Sequence, residues 1–150
     1  MAPSPWESLS KSRRSMGEFP DWFPDGCPNV GVEANATLYR GCETNPPTNE
    51  DFTPHARSEV PRKRHMARGA ACMGYGLSVW ISQADARHAQ ELFPWAARWH
   101  IFSGDVTPDD GQLAATGTRQ QPAHHSFWAY DGVELSVKFE SALPPLVAGA

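Results

Sequence analysis

The chain has 150 residues, of which 40% are hydrophobic and 20% charged, and its formal net charge is −4. A chain of this length fits one domain that buries about 70% of its unfolded surface. The negative net charge creates no positive electrostatic potential that would attract nucleic acid, so nucleic acid is not the expected partner. The 14 prolines and 6 tryptophans favour a loop-rich α+β domain with aromatic anchors over a helical bundle.

The cysteines and the N-terminal residues indicate the cellular compartment of the protein and whether it binds a metal. Cys27, Cys42 and Cys72 are odd in number and form no CxxC pair. This predicts reduced thiols in a cytoplasmic protein rather than a disulfide framework, and no metal site. The polar, proline-broken start of the chain predicts no secretory signal, and no apolar stretch has the length of a membrane span.

The composition also divides the chain into three parts. Residues 1–18 are polar with few apolar anchors and are predicted to form a mobile arm. Residues 19–141 are predicted to form a single globular domain. Residues 142–150 are predicted to form a loose tail.

Two segments near the start of the domain have a clear local signal. Residues 19–28 (FPDWFPDGCP) combine aromatic residues with prolines, which predicts an ordered loop pinned by Trp22 and Phe23. We interpret these rings as staples on the core rather than as a ligand platform. Residues 37–41 are β-branched and aromatic and end in glycine, which predicts the first strand.

The segment 59–68 is basic and short. It is predicted to be a solvated loop, with contact to a phosphorylated ligand as the alternative. Despite the acidic net charge, nucleic-acid contact through this segment is a third and weaker option. Its basic residues are Arg62, Lys63, Arg64 and Arg68.

The stretch from Ala71 to Ile81 predicts a central strand. Its apolar residues alternate with Ser78 and Trp80, which argues for a strand with one face in the core. Gly74 and Gly76 permit close approach of another group at the strand's entrance. The face with Ser78 and Trp80 either forms a pocket wall or is covered by another element. The predicted core face consists of Leu77, Val79 and Ile81.

A helix is predicted directly after this strand, over residues 83–93. Ser82 and Asp85 resemble a capping box, and Pro94 ends the helix or starts a further turn. Apolar residues recur at helical spacing between them. The predicted buried stripe is Ala84, His88, Ala89, Leu92 and Phe93.

The last third of the chain is predicted to form strands separated by turns. Residues 99–103 and 112–118 predict strands on either side of a Pro-Asp-Asp-Gly turn. The segments 125–130 and 133–140 flank an Asp-Gly pair, which favours a two-residue hairpin. The elements together predict an α+β fold with a mainly antiparallel, twisted sheet of five or six short strands, one principal helix and long loops.

The register of that hairpin is itself a prediction. Cross-strand partners share a face, so His125 and Glu134 are expected on the polar face and His124 on the core side. Two familiar motifs are absent from the sequence. No Gly-rich phosphate loop is present, and Ser78 does not lie in a GxSxG elbow, which argues against an α/β-hydrolase.

Three short motifs occur in a fixed order along the chain: residues 39–41 (YRG), residues 76–78 (GLS) and a late glutamate. This order resembles the Arg–Ser–Glu class of ADP-ribosyltransferases. The resemblance implies that Arg40 holds a phosphate of NAD, that Ser78 braces the nicotinamide side, and that Glu134 contacts the nicotinamide ribose. The serine triplet of that class reads Gly-Leu-Ser here, and its Glu-x-Glu pattern is absent.

The chemistry of NAD explains these residue types. Arginine offers a fork of donors to phosphate oxygens, and a carboxylate stabilises the oxocarbenium-like charge that develops when the glycosidic bond breaks. In this hypothesis Tyr39, Gly41 and His55 join Arg40 in cofactor binding, and Trp80 or Tyr39 stacks on nicotinamide. His55 or His125 serves as the proton-transfer group, and His125 is predicted to be a catalytic residue together with Ser78 and Glu134.

The alternative hypothesis is a non-catalytic binding module, such as an accessory protein of a bacterial operon related to toxin–antitoxin or defence systems. It predicts an exposed apolar patch around Trp22, Phe23 or Trp95, because tryptophan often anchors protein interfaces. The LYRG, GLSVW and HHSFWAYDGVEL segments also resemble small uncharacterised bacterial proteins, which indicates a compact family without indicating an activity. The two hypotheses therefore predict either a small nucleotide-like ligand or a protein partner.

Overall fold

The computed structural model describes residues 17–67 and 71–147. Within these residues the chain forms a four-stranded sheet of order β1-β5-β6-β3 and a three-stranded sheet of order β2-β4-β7, with every pair antiparallel. The strands are β1 (Val32–Glu33), β2 (Ala36–Cys42), β3 (Leu77–Val79), β4 (His100–Val106), β5 (Gly111–Ala115), β6 (His125–Ala129) and β7 (Glu140–Leu143). The helices are α1 (Pro61–Met66) and α2 (Gln83–Leu92), and 3-10 turns occupy Asn49–Phe52, His55–Arg57, Ala71–Tyr75, Ala96–Arg98 and Leu135–Val137. The predicted α+β class, mainly antiparallel with one principal helix, is confirmed.

The two sheets meet at a single bridge between β2 and the end of β3. The Tyr39 N–H donates to the Trp80 carbonyl at 2.7 Å, and the Trp80 N–H donates to the Tyr39 carbonyl at 2.9 Å. The sequence predicted one sheet, but β2 pairs along its whole length with β4, while β3 pairs with β6. The bridge nevertheless places β2 beside β3, which brings two of the predicted motifs together.

Strand β3 and Trp80, which follows it, contribute to two core clusters. Leu77 and Val79 lie in a first core cluster with large residues of β4 and β6. Trp80 lies in a second cluster with Ile101 and the alanines of α2. The helix therefore covers the second face at Trp80, while Ser78, predicted for the same face, is half-buried. Ile81, predicted for the core, follows the strand and is 47% exposed.

Helix α2 has nearly the predicted bounds, but it buries a different face. The Ser82 hydroxyl accepts the Asp85 N–H at 3.1 Å, so the predicted N-cap forms. The buried residues are Ala86, Ala89 and Gln90, while most of the predicted stripe is exposed. The small alanines permit close packing on Trp80, and the Gln90 amide donates to two backbone carbonyls. Of the predicted stripe, Ala84, His88 and Leu92 are exposed, and Ala89 alone is fully buried.

The predicted hairpin over 125–140 is wrong. The Asp-Gly pair does form a turn, since Gly132 has φ +82 and the Val133 N–H donates to the Tyr130 carbonyl at 3.3 Å. Both edges of β6 are already paired, with β3 and with β5, so no edge remains for the second arm. The segment instead forms the Leu135–Val137 turn, and the chain pairs again only at β7. The shared polar face predicted for His125 and Glu134 therefore does not form.

Two further segments differ from their predictions. The basic segment forms the short helix α1 with proline at its start, rather than a loop; Arg68 lies outside the described residues. Strand β7 continues past residue 141, and the Leu146 and Val147 N–H groups donate to the Ala97 carbonyl. The chain is therefore attached to the domain beyond the predicted start of the tail. The predicted arm lies mostly outside the described residues.

The prediction that all three thiols are reduced is also wrong. Cys27 and Cys72 form a disulfide, with their Cα atoms 5.4 Å apart and a sequence separation of 45. The pairing depends on the 19–28 loop packing against the Ala71–Tyr75 turn, which no local spacing reveals. Cys42 is free and buried, and burial raises its thiol pKa to about 12, so it is not a nucleophile at neutral pH.

Candidate functional site

A cavity of about 510 Å³ lies beside the first core cluster. Aromatic side chains from the 19–28 loop and the Ala71–Tyr75 turn form one wall. The Trp22 and Phe23 ring centres are 4.9 Å apart, and the Phe23 and Tyr75 ring centres are 5.7 Å apart. The rings that line the cavity are Trp22, Phe23, Phe52, Tyr75 and Tyr130. The loop thus has the predicted aromatic anchors, and the same rings also offer flat surfaces to a ligand.

Polar groups of both charges line the same cavity. The Arg57 guanidinium lies 4.7 Å from the centre of the Trp22 ring. The Glu134 side chain is exposed, and the nearby Ser136 hydroxyl donates to the Asn49 side-chain oxygen at 3.3 Å. The aromatic rings can stack on a planar ring of a ligand, and Arg57 can pair with an anionic group. Asn49 and Glu134 can form hydrogen bonds with the hydroxyl groups of a sugar.

Arg40 and Ser78 are in contact, but not through the serine hydroxyl. The Arg40 Nη1 donates to the Ser78 carbonyl at 2.8 Å, and its Nε donates to the Asp51 carbonyl at 2.7 Å. The guanidinium lies 6.0 Å from the centre of the Phe52 ring, which lines the cavity. Arg40 therefore holds the Asn49–Phe52 turn against β3 and lies behind the cavity wall.

Asp51 stabilises the same turn from its other side. Its carboxylate accepts the Glu43 and Thr48 N–H groups at 2.9 Å each, and the Thr44 hydroxyl as well. Burial would raise the pKa of Asp51, but these hydrogen bonds and the Arg40 charge lower it below its usual value. A carboxylate that is ionised and fully bonded fixes the backbone that carries Phe52 and Asn49.

The buried Lys63 of helix α1 completes this charged region. Its ammonium lies 3.5 Å from Glu43 and 3.7 Å from Glu50, and Arg62 forms an ion pair with Glu43 at 2.8 Å. Burial would raise the pKa of Glu43, but the hydrogen bond and charges of these two basic residues lower it. His55 is half-buried nearby. Burial, followed by the positive charges of Arg40 and Lys63, lowers its pKa and favours the neutral ring.

The remaining predicted residues lie away from the cavity. Tyr39 and Trp80 pack in the second core cluster, and the Trp80 ring is 3% exposed, which leaves little surface for a ligand. A Cβ at Gly41 would overlap the Trp99 ring, so the glycine permits ring packing there. His125 lies on β6, with its Nδ1 2.8 Å from the Ala123 carbonyl oxygen.

A second polar group lies on the other side of β3. The Ser78 hydroxyl is 2.8 Å from His124 Nε2, and His124 Nδ1 is 2.9 Å from the Thr116 hydroxyl and 3.2 Å from the Thr116 carbonyl oxygen. The Thr116 hydroxyl is 2.8 Å from that of Ser126. Burial lowers the pKa of His124, the Thr116 carbonyl opposes this, and the Arg40 and His125 charges lower it further.

Sequence reasoning missed the cavity's own polar residues. Arg57 and Asn49 belong to the turn-rich region between β2 and α1, where no motif marks them. Tyr75 was overlooked beside the two glycines of the central stretch. The one available signal was the aromatic 19–28 loop, whose rings were interpreted only as staples. His124 was placed on the core side by the wrong hairpin register.

Residues 17–67 and 71–147 contain neither a metal-binding cluster of side chains nor a membrane-spanning helix. Among these residues no group of three or more His, Cys, Asp or Glu side chains is arranged to hold a metal ion. No helix within the same ranges is both long and apolar enough to cross a membrane.

Comparisons of the chain with models of known protein families, with curated proteins and with solved structures found no significant match.

Proposed function

We propose that this chain binds a nucleotide-like ligand, NAD in particular, in the cavity between the 19–28 loop and the segment after β6. The observation that carries the proposal is the combination of aromatic rings, Arg57 and Glu134 around one cavity of about 510 Å³. Ligand sites are typically concave and mostly apolar, with a few polar groups that orient the ligand.

Each part of NAD has a complementary group in the cavity. The nicotinamide or adenine ring stacks on the tilted faces of Trp22, Phe23 or Tyr75. Arg57 projects over Trp22 and is exposed, so its guanidinium is free to form a bidentate pair with a phosphate. Asn49 and Glu134 provide hydrogen-bonding groups for the ribose.

The proposal changes the role that the family resemblance gives to Arg40. Two of its nitrogens already donate to backbone carbonyls, and it lies behind the Phe52 wall. Arg57, which lines the cavity, is the better phosphate ligand. Arg40 then positions the wall, while Glu134 keeps the role that the resemblance implies.

The chemistry we propose is ADP-ribosyltransferase-like glycosyl transfer. The bond between the ribose C1′ and the nicotinamide nitrogen breaks, and nicotinamide leaves with the bonding electron pair. The Glu134 carboxylate stabilises the oxocarbenium-like charge on the ribose, and water or an acceptor then adds at C1′ with loss of a proton. Glu134 therefore contributes to the chemical step more than to ground-state binding.

The experiment is NAD titration by calorimetry, combined with an assay for released nicotinamide. We expect saturable binding to the wild type and binding weakened by about 10- to 100-fold in Arg57→Ala, because a charged hydrogen-bonded pair is lost. Glu134→Gln should bind NAD but release no nicotinamide. Arg98→Ala and Glu91→Gln change exposed residues of the same types that do not line the cavity, and should behave as the wild type.

The two parts of the proposal fail separately. An absence of NAD binding by the wild type would overturn the nucleotide site itself. Binding without nicotinamide release would overturn the transferase chemistry and leave a binding protein. Equal release by wild type and Glu134→Gln would overturn the role of Glu134 in the chemical step.

A second candidate function is a non-catalytic protein-binding module. One observation favours it: Trp95 is 58% exposed and stacks on Phe93 with their ring centres 4.5 Å apart, beside a 36% exposed Leu92. Exposed tryptophan anchors are common at protein interfaces. In a pull-down, Trp95→Ala should lose any specific partner that the wild type captures. Unchanged capture would contradict this function.

A further inference from the structure

The Ser78–His124–Thr116 group has the arrangement of an activated hydroxyl. Ser78 Oγ and His124 Nε2 are 2.8 Å apart, and the other ring nitrogen lies 3.2 Å from the Thr116 carbonyl oxygen. A carbonyl oxygen only accepts hydrogen bonds, so this contact favours a proton on Nδ1. The Thr116 hydroxyl, 2.9 Å from the same nitrogen, can accept that proton too, because its own hydrogen can be donated to the Ser126 hydroxyl at 2.8 Å. Nε2 then presents its lone pair to the Ser78 hydroxyl, which donates to it. A nucleophile–base pair requires this tautomer.

The group is held firmly and remains partly accessible. Ser78 lies within β3, and His124 directly precedes β6, which pairs with β3 over Leu77–Val79. The Trp80 and His124 rings pack edge to face, with ring centres 5.8 Å apart and an interplanar angle of 89°. Ser78, His124 and Thr116 are each half-buried rather than sealed in the core.

We propose that Ser78 and His124 form a second reactive site, in which the Ser78 hydroxyl attacks small activated esters and His124 acts as the base. The site is separate from the aromatic cavity, because Ser78, His124 and Thr116 do not line that cavity. The Trp80 ring packs behind the imidazole, and the exposed Met73 side chain lies nearby, with its sulfur 3.9 Å from the Ser126 hydroxyl. An exposed apolar neighbour of this kind suits a short alkyl or aryl ester without charge.

The proposed reaction is an acyl transfer through a serine ester. Ser78 Oγ bonds to the carbonyl carbon of the ester while its proton passes to His124 Nε2. The carbon–oxygen bond of the alcohol breaks, and the alcohol leaves with the proton from His124. Water, deprotonated by the same imidazole, then cleaves the serine ester, which releases the acid and restores Ser78.

The same chain contains a natural control pair. His100 Nε2 and Ser141 Oγ are 2.6 Å apart, closer than the pair in the proposed site. However, this contact is exposed, and among residues 17–67 and 71–147 no acceptor bonds His100 Nδ1. A short distance between a serine hydroxyl and a histidine nitrogen is therefore not sufficient to indicate a reactive serine. The acceptor on Nδ1 and the partial burial distinguish the Ser78 group.

The test is covalent labelling with a small fluorophosphonate, followed by peptide mass spectrometry. The Ser78 oxygen should displace fluoride from phosphorus, which gives one adduct per chain on the peptide that contains Ser78. His124→Gln should lower the labelling rate by about 10²-fold or more, since general-base catalysis contributes 10²–10⁴-fold. Ser141→Ala should label as the wild type, and p-nitrophenyl acetate hydrolysis should follow the same order.

The pH dependence of the Ser78 labelling rate provides a second test of the proposal. Burial is the main cause that lowers the pKa of His124, and the hydrogen bond with the Thr116 carbonyl opposes it. The charged or titratable groups that lower this pKa further are His125 on β6 and Arg40 on β2. The neutral ring is the active form, so labelling should rise with pH and level off below the pH expected for an ordinary histidine.

Labelling at Ser141 or elsewhere, equal rates in wild type and His124→Gln, or no adduct in a folded wild type would each overturn the proposal. These results do not depend on the NAD experiment. Arg57→Ala, which alters the aromatic cavity, should leave Ser78 labelling unchanged.

Discussion

Replacing Trp128 with alanine is expected to lower the free energy of unfolding by about 3–5 kcal/mol, the range typical of a buried tryptophan. Trp128 lies on β6 and is fully buried, and its indole Nε1 donates to the Cys72 carbonyl at 3.0 Å. The ring lies close to Gly76, where an added Cβ would be 3.0 Å from the indole. Truncation would leave a cavity between β6 and the entrance of β3, together with an unpaired buried carbonyl.

Urea denaturation provides the measurement, with the midpoint and slope compared at equal protein concentration. Trp95→Ala is the matched control, because it removes the same ring from an exposed position and should cost only about 0.5–1.5 kcal/mol from the lost Phe93 stacking. Trp128→Phe should lie between the two, since it keeps most of the volume and loses the hydrogen bond. Similar costs for Trp128→Ala and Trp95→Ala would contradict the placement of Trp128 in the core.

Removing the Cys27–Cys72 disulfide is expected to cost about 2–4 kcal/mol, because the bond closes a long loop in the unfolded chain. The bond also connects the two elements that carry the aromatic wall of the cavity. Cys27 ends the loop with Trp22 and Phe23, and Cys72 lies in the turn with Tyr75. We therefore expect the Cys27→Ala/Cys72→Ala double variant to lose NAD affinity as well as stability.

Thiol counting and urea denaturation together test this prediction. The denatured, unreduced wild type should show one reactive thiol of its three, that of Cys42. A phosphine reductant should lower the wild-type midpoint and leave the double variant unchanged, because no bond remains to be reduced. Three reactive thiols before reduction, or a reductant effect of equal size in both proteins, would contradict the pairing.

Strand β3 separates the two proposed sites. Leu77 lines the aromatic cavity, and the next residue, Ser78, directs its hydroxyl to His124 on the other side. Alternation along a strand is the physical reason, since successive side chains point to opposite faces. We therefore expect variants at Arg57 and at His124 to affect different proposed activities, although the two sites share one short strand.

Local patterns in the sequence were sufficient for much of the fold. The strands near residues 37–41 and 99–103 and the helix from Gln83 formed as predicted, because alternation, helical spacing and the Ser82 cap act over a few residues. The core positions of Leu77 and Val79 followed from the same alternation. The α+β class followed from the order and type of these elements.

The candidate site was less accessible to sequence analysis. Glu134 does line the cavity, but through the Leu135–Val137 turn rather than the predicted hairpin. Arg40 and Ser78 do meet, but at a backbone carbonyl. The residue types were recognisable from the sequence, whereas the direction and partner of each side chain depended on how the strands pair.

By itself, therefore, the sequence determined the type of most elements and the class of the fold, because those depend on short-range backbone and packing preferences. Only the tertiary structure decided which edge each strand would pair with, which cysteines would meet, and which face of α2 would be buried. The Asp131-Gly132 turn formed, yet its hairpin did not, because β3 and β5 already occupied both edges of β6. Such competition for partners acts between residues far apart in the chain, so no local pattern records it.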